Sequence, residues 1–318
     1  MQPEIIAGVL ALAAILAYAV LAGADFGGGV WDLLSGPARK REQREAIGEA
    51  MGPVWETNHV WLIYVLVLLF TCFPPVFAML GIALFVPLTL ALIGIVLRGA
   101  AFAFRGPAIR DLLPHKIWGV VFGIASLATP FLFGACAGGI ATGSFGWLRP
   151  MSLTVGLFAV TLCAQLAAVF LVAETRGPLR DDFRVRAYWS TCAVAVLGLA
   201  ALIAGWMTEP RLIAHLRSPV AVAAVACAMA LGVVVLLALR ANRARLARVA
   251  VAAEVAGVVC GWYAAQAPFA LAQLGVPHPA APPATIAVFL WTSAAGAIVL
   301  VPSLALLFAV FKRVPIES

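Results

Sequence analysis

Nine apolar runs divide this chain, at residues 5–33, 49–73, 76–104, 117–140, 151–173, 187–208, 219–239, 249–271 and 285–311. Each is long enough to cross about 30 Å of hydrocarbon as a helix, and only short connections separate them. In lipid every backbone N–H and C=O must be satisfied within the segment, so such runs become helices. Composition agrees: 64% of residues are hydrophobic and 11% charged, with mean hydropathy +1.05. A soluble domain carries about 25% charged residues. The sequence therefore predicts an all-α polytopic membrane protein, with residues 1–318 as one integral-membrane domain of about nine transmembrane helices.

The net charge of +7 invites a nucleic-acid reading, but the basic residues lie in short connections and build no continuous basic face. All but three of the 21 Lys and Arg residues fall on one set of connections and the C-terminal tail; Arg149, Arg211 and Arg217 fall on the other. The positive-inside rule then places the N-terminus outside and the C-terminus in the cytoplasm, which requires an odd number of spans. The N-terminal Met-Gln-Pro-Glu lacks the basic region of a secretory signal, so the first helix is expected to stay. The six cysteines are scattered through apolar runs with no C-x-x-C pair, and neither a disulfide framework nor a metal site is expected.

Ionisable residues inside such runs are costly and mark polar pathways by default. Three of them, on consecutive spans, are expected at similar depth near the cytoplasmic side. Asp25 lies late in the first span, Glu56 enters the second, and Arg98 closes the third. Asn58 and His59 follow Glu56, with Trp55 and Trp61 on either side. One reading is a lock of paired charges between three helices; the other is a cytoplasmic proton entry, for which carboxylates and neighbouring amides are suitable relay groups. Glycines 23, 27, 28 and 29 read as a small-residue packing face. Because they follow a membrane helix and not a strand, a dinucleotide site is rejected. His59 has no second histidine inside a span to complete bis-histidine haem ligation, and reads as a hydrogen-bonded core residue. Glu254 reads as an acid snorkelling to the cytoplasmic face beside Arg248, Glu174 as interfacial, and Asp181, Asp182 and Arg184 as a solvated loop. The tryptophans, Trp31 among them, read as an aromatic belt. Pro87, Pro130 and Pro302 are expected to kink their helices.

Gly23-Ala-Asp-Phe-Gly-Gly-Gly29, then Gly52-Pro-Val-Trp-Glu-Thr-Asn-His-Val-Trp61 after a short basic loop, then Arg98-Gly-Ala-Ala-Phe-Ala-Phe-Arg105, together resemble subunit II of the cytochrome bd-type quinol oxidases. The topology agrees over nearly the whole chain, and the specific motifs occupy roughly its first third. The resemblance implies a nine-span subunit of the bacterial cytoplasmic membrane that binds no haem itself and has no catalytic residue of its own. It implies a heterodimer with a haem-bearing subunit I, which carries two b-type haems and haem d, oxidises quinol and reduces O2 to water. It also implies a cytoplasmic proton path, matched here by Glu56, Asp25, Asn58 and Arg98 with Trp55, His59 and Trp61 in support. Whether this chain holds a quinone, or meets a small accessory subunit, stays open. Members commonly place a second acid three residues before the glycine-motif acid; here that position is Ala22, which leaves Asp25 alone. Two other classes compete: a secondary transporter with the acids as coupling sites, which would be expected to show inverted repeats, and a purely structural membrane partner.

Overall fold

The computed structural model describes residues 2–51, 55–104, 113–208, 218–273 and 280–312, with the side chains of 37, 51, 55–57, 113–116, 267–273 and 307–312 left aside. All regular elements among them are helical: α1 (Pro3–Leu33), α2 (Lys40–Met51), α3 (Trp55–Cys72), α4 (Pro74–Ala83), α5 (Phe85–Phe104), α6 (Leu113–Ala141), α7 (Pro150–Glu174), α8 (Gly177–Thr208), α9 (Pro219–Arg240), α10 (Ala244–Gln273) and α11 (Pro283–Lys312). A short 3-10 turn, Pro37–Arg39, leads into α2. Proline occupies the first turn of α1, α4, α7 and α9, where its missing N–H would have had no helical partner. Ser218 caps α9, its hydroxyl oxygen accepting from the Ala221 N–H at 3.3 Å.

Among the described residues eight helices are long and apolar enough to cross a membrane, and the bent pair α3–α4 makes nine if counted as one span. The expected second and third spans are redrawn. The expected start at Glu49 falls on the charged α2, Lys40–Met51, and α3 is described over Trp55–Cys72. The expected crossing at 76–104 is in fact α4 followed by α5. The axis turns 118° between α3 and α4, and no residue of α4 is buried. Pro74 and Pro75 close α3, because a proline ring cannot follow four residues after a helical carbonyl without a clash. Pro87 does the same to Ala83, the last residue of α4. It therefore divides α4 from α5 and sits in the first turn of α5 instead of kinking a longer helix. Pro130 and Pro302 do lie inside α6 and α11.

Helix α1 packs against α2, α3, α6, α7, α10 and α11, so it runs through the middle of the bundle. Helix α7 lies deepest, with 67% of its most apolar stretch buried, against 6% for α11. The α1–α7 contact is very close: a Cβ on Gly27 would stand within 1.8 Å of the Cys163 carbonyl oxygen. The glycine face thus packs helices, as its spacing suggested.

At one end of the bundle the basic connections meet. Arg39 Nε and Nη2 donate to Asp182 at 2.8 and 2.5 Å, and Gln43 Nε2 donates to the same carboxylate at 2.9 Å. The Arg39 guanidinium is held above its ordinary range mainly by that hydrogen-bonded carboxylate. Asp181, Asp182 and Arg184 therefore belong to the first turns of α8, and Asp182 ties that helix to the start of α2. At about 1.5 Å per residue the 32 residues of α8 span about 48 Å, so its charged start projects well beyond a bilayer's hydrocarbon. Arg184 reaches Asn242 and Arg248 reaches Glu174, which joins the α9–α10 turn to the same end. At the other end the Ala281 N–H donates to the Cys72 carbonyl at 2.8 Å.

Candidate functional site

Helices α1, α5 and α6 build one buried polar cluster. Asp25 lies on α1, which packs against α6, and Arg98 reaches it from α5, which packs on the same α6. Arg98 Nη1 donates to Asp25 Oδ2 at 2.8 Å and Nη2 to Oδ1 at 2.6 Å, a bidentate pair. Nη2 also donates to the Asp25 carbonyl at 3.1 Å, and Nε donates to Ser126 Oγ of α6 at 3.0 Å. The two side chains are 2% and 3% exposed, so this pair is buried, not interfacial. The Phe26 and Phe122 rings cover the guanidinium, at 5.1 and 5.0 Å from their centroids, and add cation–π attraction in a dry setting. Room for Ser126 comes from Gly29, where a Cβ would lie 2.0 Å from Ser126 Oγ.

Asn58, on the first turns of α3, is 1% exposed and donates through Nδ2 to the Leu21 carbonyl of α1 at 3.3 Å, one turn before Asp25. Its Oδ1 is buried with no hydrogen-bond partner among the described residues. His59 packs between the rings of Tyr18 and Phe26, with centroids at 6.0 and 6.4 Å. Trp61 is half-buried further along α3. Glu56 and Trp55 fall on α3, but their side chains lie outside the described ones. Asp25 and Arg98 thus meet directly, and Asn58 of α3 reaches the adjacent turn of α1.

Two features depart from the sequence reading. Glu254 does not snorkel toward Arg248. It is 4% exposed and accepts from Gln165 Nε2 at 2.9 Å, while Arg248 pairs with Glu174 at 2.6 Å. Six residues at 100° each leave Glu254 about 120° around α10 from Arg248, so one face cannot serve both. Trp31 is more than a belt residue: its Nε1 donates to the Ala164 carbonyl at 2.7 Å, and Arg186 lies 5.3 Å over its ring. Ser126, Phe122 and Tyr18 were missed, because a lone serine or aromatic in an apolar run carries no signal of its neighbours.

Comparison with known proteins agrees with the motifs. The family model described as cytochrome bd terminal oxidase subunit II matches residues 2–311. The chain is 28% identical over 210 residues to the cytochrome bd ubiquinol oxidase subunit 2 of Bacillus subtilis, covering 62% of this chain and 61% of that protein. It is 27% identical over 208 residues to the cytochrome bd-I ubiquinol oxidase subunit 2 of Escherichia coli K12, covering 61% and 54%. The matches thus span only about half to three-fifths of these relatives' length. A chain of the bd oxidase structure from Geobacillus thermodenitrificans shares the fold, with TM-score 0.80 at 20% identity over 98% of this chain and 99% of that one. The apolar helices and the bacterial relatives make this a multi-pass protein of the bacterial inner membrane. With a family model matched over residues 2–311, the chain belongs to the cytochrome bd terminal oxidase subunit II family.

Proposed function

We propose that this chain is the non-haem subunit II of a cytochrome bd-type quinol:O2 oxidoreductase, that it supports assembly of a haem-bearing subunit I, and that it supplies a cytoplasmic proton path through Glu56 with Asp25, Asn58 and Arg98. In this reading the N-terminus is outside, quinol and O2 are substrates of the complex, and the haems, two of b type and one of d type, belong to the partner. The observation that carries the proposal is the fully buried Asp25–Arg98 pair beside the start of α3, on which Glu56 lies.

The roles within the cluster differ. Asp25 is held by both ends of its carboxylate, and Arg98 by four hydrogen bonds, so moving a proton onto Asp25 would break most of these contacts. The pair sets the local field and fixes α1 against α5 and α6. Glu56 is the group that passes protons, with Asn58, whose Oδ1 has no partner among the described residues, orienting a water or the acid itself. Glu56→Gln should slow O2 reduction and proton uptake in purified complex whose haem content is intact. Unchanged rates in such a preparation would remove Glu56 from the path.

One observation favours a second, purely structural reading. Asp25 and Arg98 satisfy each other so fully that the cluster could act only as a helix lock. Under that reading Glu56→Gln and Asp25→Asn would both lower the yield of assembled complex, and the complex that did form would turn over at the wild-type rate.

A further inference from the structure

A second buried carboxyl lies apart from the Asp25–Arg98 pair. Glu254 on α10 is 4% exposed, and Gln165 of α7, which donates to its Oε2 at 2.9 Å, is fully buried. The same amide nitrogen donates to Thr191 Oγ1 of α8 at 3.2 Å, and the Thr191 hydroxyl donates to the Ala187 carbonyl at 2.7 Å. On α9, a Cβ at Gly232 would stand 3.0 Å from Glu254 Oε1, so the missing side chain leaves room for the carboxyl. Four helices close around one acid.

No cation among the described residues lies within ion-pair distance of it. Arg248 on the same helix is paired with Glu174 of α7, and Arg186 of α8 is held by Gln43 and the Leu34 carbonyl. On α1, Asp25 is engaged by Arg98. The charged group on α9, Arg240, lies two turns beyond Gly232, and the Cys163 sulfur on α7 faces Gly23 of α1. A lone carboxylate out of water, with one amide donor, is poorly compensated, and such a group takes up a proton instead.

Gln165 is suited to both protonation states. Its Nε2 now faces the carboxyl, while its Oε1 is buried with no partner. Half a turn about the last side-chain bond exchanges the two, and which orientation holds depends on whether the carboxyl needs a donor or an acceptor. We propose that Glu254, Gln165 and Thr191 form a proton-binding site inside the bundle, in which Glu254 rests as a neutral acid donating to Gln165 Oε1. On release the proton passes to water and Nε2 turns back to the carboxylate. The nearest polar end of the bundle is that of Arg248 and Glu174, six residues or about 9 Å along α10. Neither Glu56 nor turnover of the complex enters this assignment.

The test is infrared difference spectroscopy on the intact protein, isolated with any co-purifying partner and held in lipid near neutral pH. Wild type minus Glu254→Gln should show a protonated-carboxyl C=O stretch that moves to lower wavenumber after exchange into D2O. Glu254→Asp should keep an acid band at a changed position, which covers failure of the amide variant to fold. Gln165→Leu should raise the wavenumber of the band by removing its acceptor. Carboxylate stretches in place of the acid band, an acid band blind to D2O, or a band unmoved by Gln165→Leu would each overturn the proposal. Conversion of the acid band to carboxylate when sodium replaces choline would make it a cation site instead.

Discussion

Asp25→Asn removes one charge from the buried pair and leaves Arg98 where it is. The side chains are 2% and 3% exposed, so water cannot take over the lost partner. The substituted amide can still accept one hydrogen bond through its single oxygen. Arg98 keeps Ser126 and the backbone carbonyl of residue 25, but the guanidinium loses its counter-charge and half of the bidentate contact. Breaking a buried pair from one side costs about 3–5 kcal/mol. At about 1.4 kcal/mol per tenfold, the equilibrium between folded and unfolded protein moves by roughly two to nearly four orders of magnitude. The assay is unfolding by SDS in mixed micelles, followed by far-UV circular dichroism, for wild type, Asp25→Asn, Arg98→Gln and the double variant. The double variant should be more stable than the sum of the single losses implies, with a coupling of about 2 kcal/mol or more, because no charge is left stranded. An Asp25→Asn protein within about 1 kcal/mol of wild type, or a cycle with no coupling, would refute the claim that this pair fixes α1.

Gly27→Ala should cost about 3 kcal/mol or more by the same assay, since its methyl would overlap the Cys163 backbone; Gly48→Ala, with open space around it, should be neutral or gain about 0.5–1 kcal/mol. Trp31→Phe should lose about 1–2 kcal/mol, by removing the donor to Ala164 and weakening the stack under Arg186, and near-ultraviolet circular dichroism at the wild-type fold will confirm that the ring site is kept. Asp182→Asn, at a pair 35% and 22% exposed, should cost no more than about 1 kcal/mol, and the difference from wild type should shrink as salt is raised in the same unfolding titration.

Much of this architecture was readable because lipid imposes a simple rule on sequence. Long apolar runs must be helices, and an acid or arginine inside them must find a partner, so Asp25 and Arg98 could be matched across 73 residues. The rule is silent where the partner is polar but uncharged. Ser126 and Gln165 are single residues in apolar helices, and only the packing shows that one receives Arg98 and the other reaches Glu254, 89 residues away. Nor does hydropathy distinguish a helix that crosses from one that turns aside. The run 76–104 is apolar throughout, yet Pro87 stops the α4 helix at Ala83. Charge misled in the opposite sense at 40–48 and 177–186. These stretches look like solvated connections, but their arginines and acids pair with one another and hold ordered helices.

The central position of α1 bears on how the chain is made. The helix carrying Asp25 leaves the ribosome ahead of Arg98, which follows 73 residues later. At about 5–20 residues per second, the acid waits roughly 4–15 s before its counter-charge has been synthesised. The acceptor for Trp31 comes later still, 133 residues downstream. During that interval the first helix must be sheltered by the insertion machinery or keep its acid at the headgroup level, and it settles into the bundle only as the later helices close around it.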